Sequence, residues 1–444
     1  MPPKGGAFAT RDCKVNISII GCGYVGLVTG TCFAELGHNV LGIDNDEQKV
    51  ASLQAMHSPI YEPGLEELIR TNCQEGRLRF SDSIAEAVEH GQVIFICVNT
   101  PPRPDGGVDL SYVAAVSQEI AEHISDYRLI VEKSTVPVRT GEWVSETIRA
   151  FAPKGVDFDV ASNPEFLREG TAIDDFLRPD RVVIGTDSQR AASLLVSLYE
   201  PLNAPLLLTD IKSAELIKHS ANAFLALKIS FINSVANICS LSGADIKKVT
   251  KGIGLDKRIG LQAMEAGLGY GGMCLPKDVS AYIEIAKELG YDFELLRATE
   301  KVNNLQRLWP INTLRQCFDT LQDKKIAILG LAFKPHTDDL RFAVSMELIH
   351  ALQKENAQIC AYDPKAMDNA RRCNPFLCTA PDAYAACQDA DAAVICTEWP
   401  EFHHLDWQRV KQLMRRPLLL DGRNIFEPAR LRKHGFEYHC IGRN

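Results

Sequence analysis

At 444 residues, with 46% hydrophobic and 24% charged side chains, the chain has an ordinary globular composition with room for two or three separate cores. A formal charge of -9 gives no basic footprint, which excludes nucleic acid as a default partner. The fourteen cysteines include no CxxC pair, and Cys373 and Cys378 have no matching His or Cys pair, so neither a disulfide framework nor a structural zinc site is expected, and no metal.

The opening stretch MPPKGGAFATRDCK has no apolar run of signal-peptide length, which points to a cytoplasmic protein with a short mobile leader over residues 1–13. Next comes KVNISIIGCGYVGLVTGTCFAELGHNVLGIDND (14–46). A β-rich run, Val15 to Ile20, meets Gly21, Gly23 and Gly26 in G-x-G-x-x-G spacing. A small-residue helix follows, and a second strand, Asn39 to Ile43, ends at Asp44. The glycine triplet alone is a weak signal, but strand, helix and terminal acid together read as a dinucleotide site. In that reading Gly21 makes the turn, Gly23 admits the pyrophosphate, and Gly26 lets helix and sheet pack closely. The helix N-terminus offers N–H groups to the phosphates, and Asp44 takes the adenosine ribose, favouring NAD over NADP.

Apolar runs at 93–98, 129–135 and 182–185 continue the parallel-sheet pattern. Ligands bind beyond the carboxyl ends of such strands, which places Asn99, Thr100, Ser134 and Thr135 along the cofactor crevice. From Ser213 to Ser242 there is no Gly or Pro, which permits a helix of roughly 45 Å. Its apolar part resembles a membrane span in length, but Lys228, Asn233 and Asn237 are costly in hydrocarbon. The expectation is a buried helix at a domain or subunit contact, with no membrane partner. Lys218 and Asn222, four residues apart, share one face of it.

The stretch GLGYGGMCLPKD (267–278) sets Cys274 behind four glycines, where a bare backbone can approach a ligand closely. Near the C-terminus the strand–turn–acid layout recurs: KKIAILGLAFK (324–334), a strand ending at Asp363, and further runs at 390–399 and 416–424. This half lacks G-x-G-x-x-G and reads as a mononucleotide module. Two modules imply two nucleotide-bearing ligands, a cofactor and a substrate. The fold class is therefore α/β, with two Rossmann-like doubly wound parallel-sheet domains joined by a long central helix region.

A free thiol has a pKa near ~8.5 and attacks as thiolate, which a neighbouring cation or helix N-terminus favours. Beside NAD, a nucleophilic cysteine suits a double oxidation. One hydride loss makes an aldehyde, the thiolate captures it as a thiohemiacetal, and a second hydride loss leaves a thioester for water to hydrolyse.

With GCGYVG, YEPGLEELI (61–69), VNTPPRPDGGVDL (98–110), EKSTVPVRTG (132–141), NPEFLREGTAI (163–173), GYGGMCLPKD (269–278) and LGLAFKPHTDD (329–339) in order, the chain resembles the UDP-glucose/GDP-mannose dehydrogenases from about Lys14 to the end. The YEP and PPRPD segments look more like the UDP-glucose branch. The resemblance implies an NAD-binding domain over 1–205, a central helical dimerisation region over 206–305, and a nucleotide-sugar domain over 306–444. It implies a homodimer or higher homo-oligomer and oxidation of UDP-glucose to UDP-glucuronate.

By matching motif, the resemblance makes Cys274 the nucleophile, with Lys218 and Asn222 stabilising negative charge on the C6 oxygen. Asp278 and Thr135 hold or activate water, and Glu165 acts near the reacting carbon. The acid–base work is shared among Glu165, Lys218 and Asp278. The implied cofactor contacts are Gly21, Gly23, Tyr24, Val25, Gly26, Asp44, Lys49, Thr100, Ser134, Thr135, Glu169, Lys277 and Arg341. The implied substrate contacts add Phe166, Leu167, Gly267, Gly269, Tyr270, Gly271, Leu275, Lys334 and Arg423, with Arg258 reaching over from a partner subunit. Three departures from the family pattern stand out: Met273 where serine is usual, Leu275 where phenylalanine is usual, and Phe342-Ala343-Val344 after Arg341. Three other readings remain: oxidation of GDP-mannose by the same chemistry, a non-catalytic nucleotide-binding protein, and a single-step alcohol dehydrogenase.

Overall fold

The computed structural model describes residues 14–443, so the leader over 1–13 lies outside the described residues. The chain divides into two compact units, with the boundary between Ser220 and Ala221.

The first unit holds eight strands: β1 (Asn16–Ile20), β2 (Asn39–Ile43), β3 (Leu78–Ser81), β4 (Val93–Ile96), β5 (Arg128–Glu132), β6 (Phe158–Ser162), β7 (Val182–Gly185) and β8 (Leu206–Thr209). They form one sheet in the order β3-β2-β1-β4-β5-β6-β7-β8. The first six follow the 3-2-1-4-5-6 order of dinucleotide-binding sheets, with the order reversing between β1 and β4. The near-continuous apolar runs of β2, β4 and β5 follow from burial on both faces. Ile17, Ile19, Phe95, Leu129 and Val131 join one core, while Ile20, Ile94, Ile96 and Ile130 join the other.

The run 182–185 departs from the all-parallel expectation. β7 meets β6 antiparallel, through Ser162 opposite Gly185, and β8 is parallel to β7. A four-residue apolar run reads the same in either direction, so its hand is set by the connection before it. The reversal lets residues 163–181, with Glu165, Phe166 and Leu167, turn at the carboxyl end of β6, where such sheets bind ligands.

The second unit holds β9 (Lys325–Leu329), β10 (Gln358–Tyr362), β11 (Ala392–Ile395), β12 (Leu418–Asp421) and β13 (Glu437–Cys440), all parallel, in the order β10-β9-β11-β12-β13. Alternate residues again serve two cores, Ile326 and Ile328 one, Ala327 and Leu329 the other. A helix of 32 residues, Ile211–Ser242, contains the unit boundary and begins two residues before the expected start. Gly243, at φ +77°, closes it. The helical stretch after Ala221 clusters with the second sheet, which it meets through Gly442 N–H to Ser240 Oγ (3.1 Å) and Ile246 N–H to the Gly442 carbonyl (2.9 Å).

Candidate active site

The turn after β1 gives each fingerprint glycine its own reason. Gly21 sits at φ +99°, and a Cβ there would lie 2.6 Å from the Cys97 carbonyl oxygen. A Cβ on Gly26 would fall 1.9 Å from the Gly21 carbonyl oxygen. At Gly23 nothing lies within 4 Å, so the backbone faces open space at the start of the helix Tyr24–Glu35. That is the cradle a pyrophosphate needs: room at the middle glycine and N–H groups at a helix start. Asp44, buried at the end of β2, accepts from Cys22 N–H (3.0 Å) and pairs with Lys49 Nζ (2.8 Å). The residues therefore fit a dinucleotide.

The loops around this turn are tied to one another. Thr100 Oγ donates to the Thr135 carbonyl (3.0 Å), and Ser134 Oγ donates to the Ile96 carbonyl (3.3 Å). Tyr24 donates its hydroxyl to the buried Glu62, which also accepts from Gly170 N–H (2.6 Å) and Ala172 N–H (2.8 Å). The turn carrying Glu169 is thereby anchored. Val25 packs against the core.

Within the first unit, Glu165 and Lys218 form a buried ion pair at 2.9 Å, each side chain only 5% exposed. Glu165 turns its other oxygen to Leu167 N–H (2.6 Å). The Phe166 ring lies 5.5 Å from Lys218 Nζ and 3.4 Å from the Arg181 guanidinium. A second buried cation, Lys133, donates to the carbonyl and side-chain oxygen of Asn163 (3.3 and 3.0 Å). Burial lowers its pKa to about 8, with Cys97 and Glu165 pulling the other way. Lys133 lies inside the quoted EKST segment, yet one lysine beside a polar tripeptide carries no sign of burial, so sequence reasoning passed over it.

Within the second unit, Cys274 is the exposed first residue of the helix Cys274–Glu288, where partial positive charge favours an anion. One turn on, Asp278 is 1% exposed. It accepts from Asn222 Nδ2 (2.5 Å) and pairs with Lys277 Nζ (3.1 Å). Lys277, expected among the cofactor contacts, is thus engaged with Asp278 here.

The glycines before Cys274 make room for the protein's own atoms. A Cβ on Gly269 would sit 2.5 Å from Asn303 Oδ1, on Gly271 2.4 Å from the Phe342 carbonyl oxygen, and on Gly272 2.7 Å from the Phe333 ring. A polar network holds the same loop. Asn303 bridges both backbone groups of Tyr270 (2.8 and 3.2 Å), Gln306 donates to the Gly267 carbonyl (2.8 Å), and Asn233 accepts from Gly267 N–H (2.9 Å). Arg307 donates to the carbonyls of Tyr270 and Phe342, both at 2.8 Å. Sequence reasoning missed Asn303, Gln306 and Arg307, since their partners lie more than thirty residues away.

The remaining residues divide. Leu275 packs against Ala226, Tyr270 and Val279. Arg423 donates to the carbonyls of Cys396 (2.7 Å) and Phe333 (3.0 Å), while Lys334 Nζ lies 5.5 Å from the Phe333 ring centre. Arg341 forks onto Asp339 (2.9 and 2.7 Å). Arg258, 89% exposed, pairs with Asp256 (2.6 Å). Asp363, the counterpart of Asp44, is filled by its own surroundings: Leu331 and Ala332 N–H, Trp399 Nε1, and Lys365 and Ala366 N–H. A carboxylate so engaged fits the absence of a dinucleotide fingerprint there.

A dinucleotide-type sheet, a second mononucleotide-type sheet and an exposed helix-start thiol define a nicotinamide-dependent dehydrogenase of the nucleotide-binding α/β class. Three sequence models of the UDP-glucose/GDP-mannose dehydrogenase family match in order: its NAD binding domain over residues 15–203, central domain over 212–305 and UDP binding domain over 327–428. The chain belongs to this family. It is 45% identical over 429 residues to the UDP-glucose 6-dehydrogenase TuaD of Bacillus subtilis, covering 96% of this chain and 93% of that one. It is 46% identical over 442 residues to a UDP-glucose 6-dehydrogenase of Pseudomonas aeruginosa, covering 97% and 98%. Among solved structures, a UDP-glucose dehydrogenase from Pyrobaculum islandicum superposes with a TM-score of 0.92 at 38% identity, covering 99% of this chain and 100% of that one.

Proposed function

We propose that the chain oxidises the C6 alcohol of UDP-glucose to the carboxylate of UDP-glucuronate, through a thiohemiacetal and a thioester on Cys274. The observation that carries this reading is Cys274 at a helix start one turn before Asp278, itself held by Asn222 and Lys277, in a member of this family. The names of the relatives support UDP-glucose as the sugar nucleotide.

NAD+ supplies the hydride acceptor, once for each two-electron step. The turn Gly21–Gly26 and Asp44 hold it, with Tyr24, Val25, Lys49, Thr100, Ser134, Glu169 and Arg341 around it and Lys277 serving also to orient Asp278. Phe166, Leu167, Arg258, Leu275, Lys334, Arg423 and the backbone of Gly267, Gly269, Tyr270 and Gly271 hold the sugar nucleotide. As C6 gives up its first hydride, its hydroxyl proton passes to the carboxylate–water system of Glu165, Asp278 and Thr135. Lys218 and Asn222 stabilise the charge gathering on the C6 oxygen. The Cys274 thiolate then bonds to the aldehyde carbon, and loss of the second hydride leaves a thioester. Water adds to it, the C–S bond breaks, and the acid leaves as the thiolate is regenerated. Three modules, 1–205, 206–305 and 306–444, divide this work into cofactor binding, catalysis with subunit contact, and nucleotide-sugar binding.

A homodimer is part of the reading. The 32-residue helix is apolar and long enough to cross a membrane, yet Lys228 donates to the Ile259 carbonyl (3.0 Å) and Ser230 to the Thr299 carbonyl (2.9 Å). It leaves Phe224, Phe231 and Ile238, spaced by seven, more than half exposed. A second copy is the partner that covers such a stripe. Free thiols at every described cysteine support a reducing, cytoplasmic location.

The test is NADH yield on limiting sugar nucleotide. Two NADH per UDP-glucose, with uronate formed, are expected, and Cys274→Ser is expected to block acid formation while NAD+ still binds. One NADH per sugar, or clear turnover of GDP-mannose alone, would overturn the assignment.

A further inference from the structure

The helix Trp309–Cys317 ends against the edge of the second sheet. There Cys317 Sγ lies 3.7 Å from His439 Nε2, which lies 3.4 Å from Glu437 Oε1, and the three atoms fall within 4.8 Å of one another. Glu437 and His439 are alternate residues of β13, so the pleat places them on one face. β13 is an edge strand, bonded to β12 alone.

These separations also match those of donors around a shared ion. A neutral imidazole nitrogen carries at most one proton, and good N–H···O bonds run to about 3.2 Å. Tetrahedral zinc has bonds of about 2.3 Å to sulfur and about 2.0 Å to nitrogen and oxygen. That geometry holds sulfur and nitrogen donors about 3.5 Å apart, and nitrogen and oxygen donors about 3.3 Å apart. The chemistry of the donor set agrees: thiolate, imidazole and carboxylate are zinc-type ligands.

Arg416 arranges the carboxylate. Its Nε and Nη2 donate to Glu437 Oε2 (3.0 and 2.7 Å), while Oε1 faces His439. Its Nη1 donates to the Cys317 carbonyl (2.8 Å), so one guanidinium ties both ligand-bearing elements together. Hydrogen bonds behind the ligands are what orient a metal site. The Glu437 and His439 side chains are 41% and 39% exposed, which leaves a path for the ion and a place for water as the remaining ligand.

We propose that Cys317, Glu437 and His439 form a binding site for a divalent cation of the zinc type, separate from the dehydrogenase chemistry. On binding, the Cys317 S–H bond breaks, its proton passes to solvent, and sulfur bonds the metal. His439 coordinates through neutral Nε2 and Glu437 through Oε1. The ion joins positions 122 residues apart, so the occupied chain resists unfolding.

The experiment uses the full chain, stripped with chelator and titrated with Co2+. One equivalent should bring a near-ultraviolet thiolate-to-cobalt band and visible bands of four-coordinate intensity, both bleached by Zn2+. Cys317→Ser should remove the thiolate band, and His439→Gln should weaken Co2+ binding by roughly tenfold or more, the lower end for disturbing even an outer partner. Cys274→Ser should leave the spectrum intact. Zn2+ should raise the melting temperature of the parent chain and not that of Cys317→Ser. Metal-free melts matching the parent establish that a variant folds, and His439→Gln decides if Cys317→Ser does not. Absence of a thiolate band, its survival in Cys317→Ser or unweakened binding in a folded His439→Gln would overturn the site, as would its loss in Cys274→Ser.

Discussion

Burial divides the thiols of this chain. Cys97, Cys387, Cys396 and Cys440 are enclosed, and burial pushes each up to about 12, where a thiolate is scarce at neutral pH. Cys274 is exposed at a helix start. The same division orders the charges around Glu165. In the proposed mechanism Lys218 is the cation at the C6 oxygen, so Lys218→Met should lower NADH formation roughly 10²–10³-fold with NAD+ affinity unchanged. An equal loss in NAD+ binding would make Lys218 a cofactor residue instead. Glu132, buried at the end of β5, is raised to about 8 by burial, with hydrogen bonding from Ser134 opposing and Glu215 adding to the rise. A raised carboxyl favours the protonated fold, so its contribution is full below the unfolded value of about 4.3 and is lost as pH climbs through about 8. Glu132→Gln keeps the shape and an acceptor for Ser134 N–H. Its stability advantage over the parent should be absent near pH 4 and grow to the order of a few kcal/mol by pH 9, read from urea midpoints. A pH-independent difference would refute the shift. Neither Glu132 nor Lys133 was legible as a perturbed group, because sequence reports the charge of a residue and not its enclosure.

A loop needs support when its backbone must be bare. The glycines at 269, 271 and 272 read from sequence as room for a ligand, and in the fold that room receives Asn303, the Phe342 carbonyl and the Phe333 ring. Phe342, one of the departures from the family pattern, holds its own place at φ +51° and takes a hydrogen bond from Arg307. Gly271→Ala drives a methyl at a peptide oxygen that cannot swing away alone. It should cost about 1–3 kcal/mol and lower kcat, whereas Gly155→Ala, strained but open, should cost about 1 kcal/mol and leave kcat alone. Denaturant midpoints with steady-state rates check both. Asn303→Ala should likewise lower kcat, since both backbone groups of Tyr270 lose their partner. The fingerprint turn was legible because its chemistry is local: three glycines, a strand and an acid within thirty residues. The support of the Cys274 loop was not, because polar residues on the helix Glu294–Gln306 look like a solvent face until their distant partners are seen. The direction of β7 was hidden for a related reason, as VVIG carries no polarity.

At the scale of the molecule, the long helix carries Lys218 into the first unit and Asn222 into the second. Its stripe of Phe224, Phe231 and Ile238 asks for a covering surface. Phe231→Glu with Ile238→Lys should convert a dimer to a monomer in sedimentation velocity, and an unchanged sedimentation coefficient would remove this face from the subunit contact. The broad architecture, two nucleotide-type sheets around a helical middle, was readable from strand spacing and the glycine–acid layout. The proposed covalent path turns on a single bond between Cys274 and the sugar. Acid-quenched mass spectrometry of Asp278→Asn, incubated with UDP-glucose and NAD+, tests it most directly. A UDP-glucuronyl thioester on the peptide bearing Cys274 is the predicted result, and steady NADH production with that peptide unmodified would contradict the covalent path.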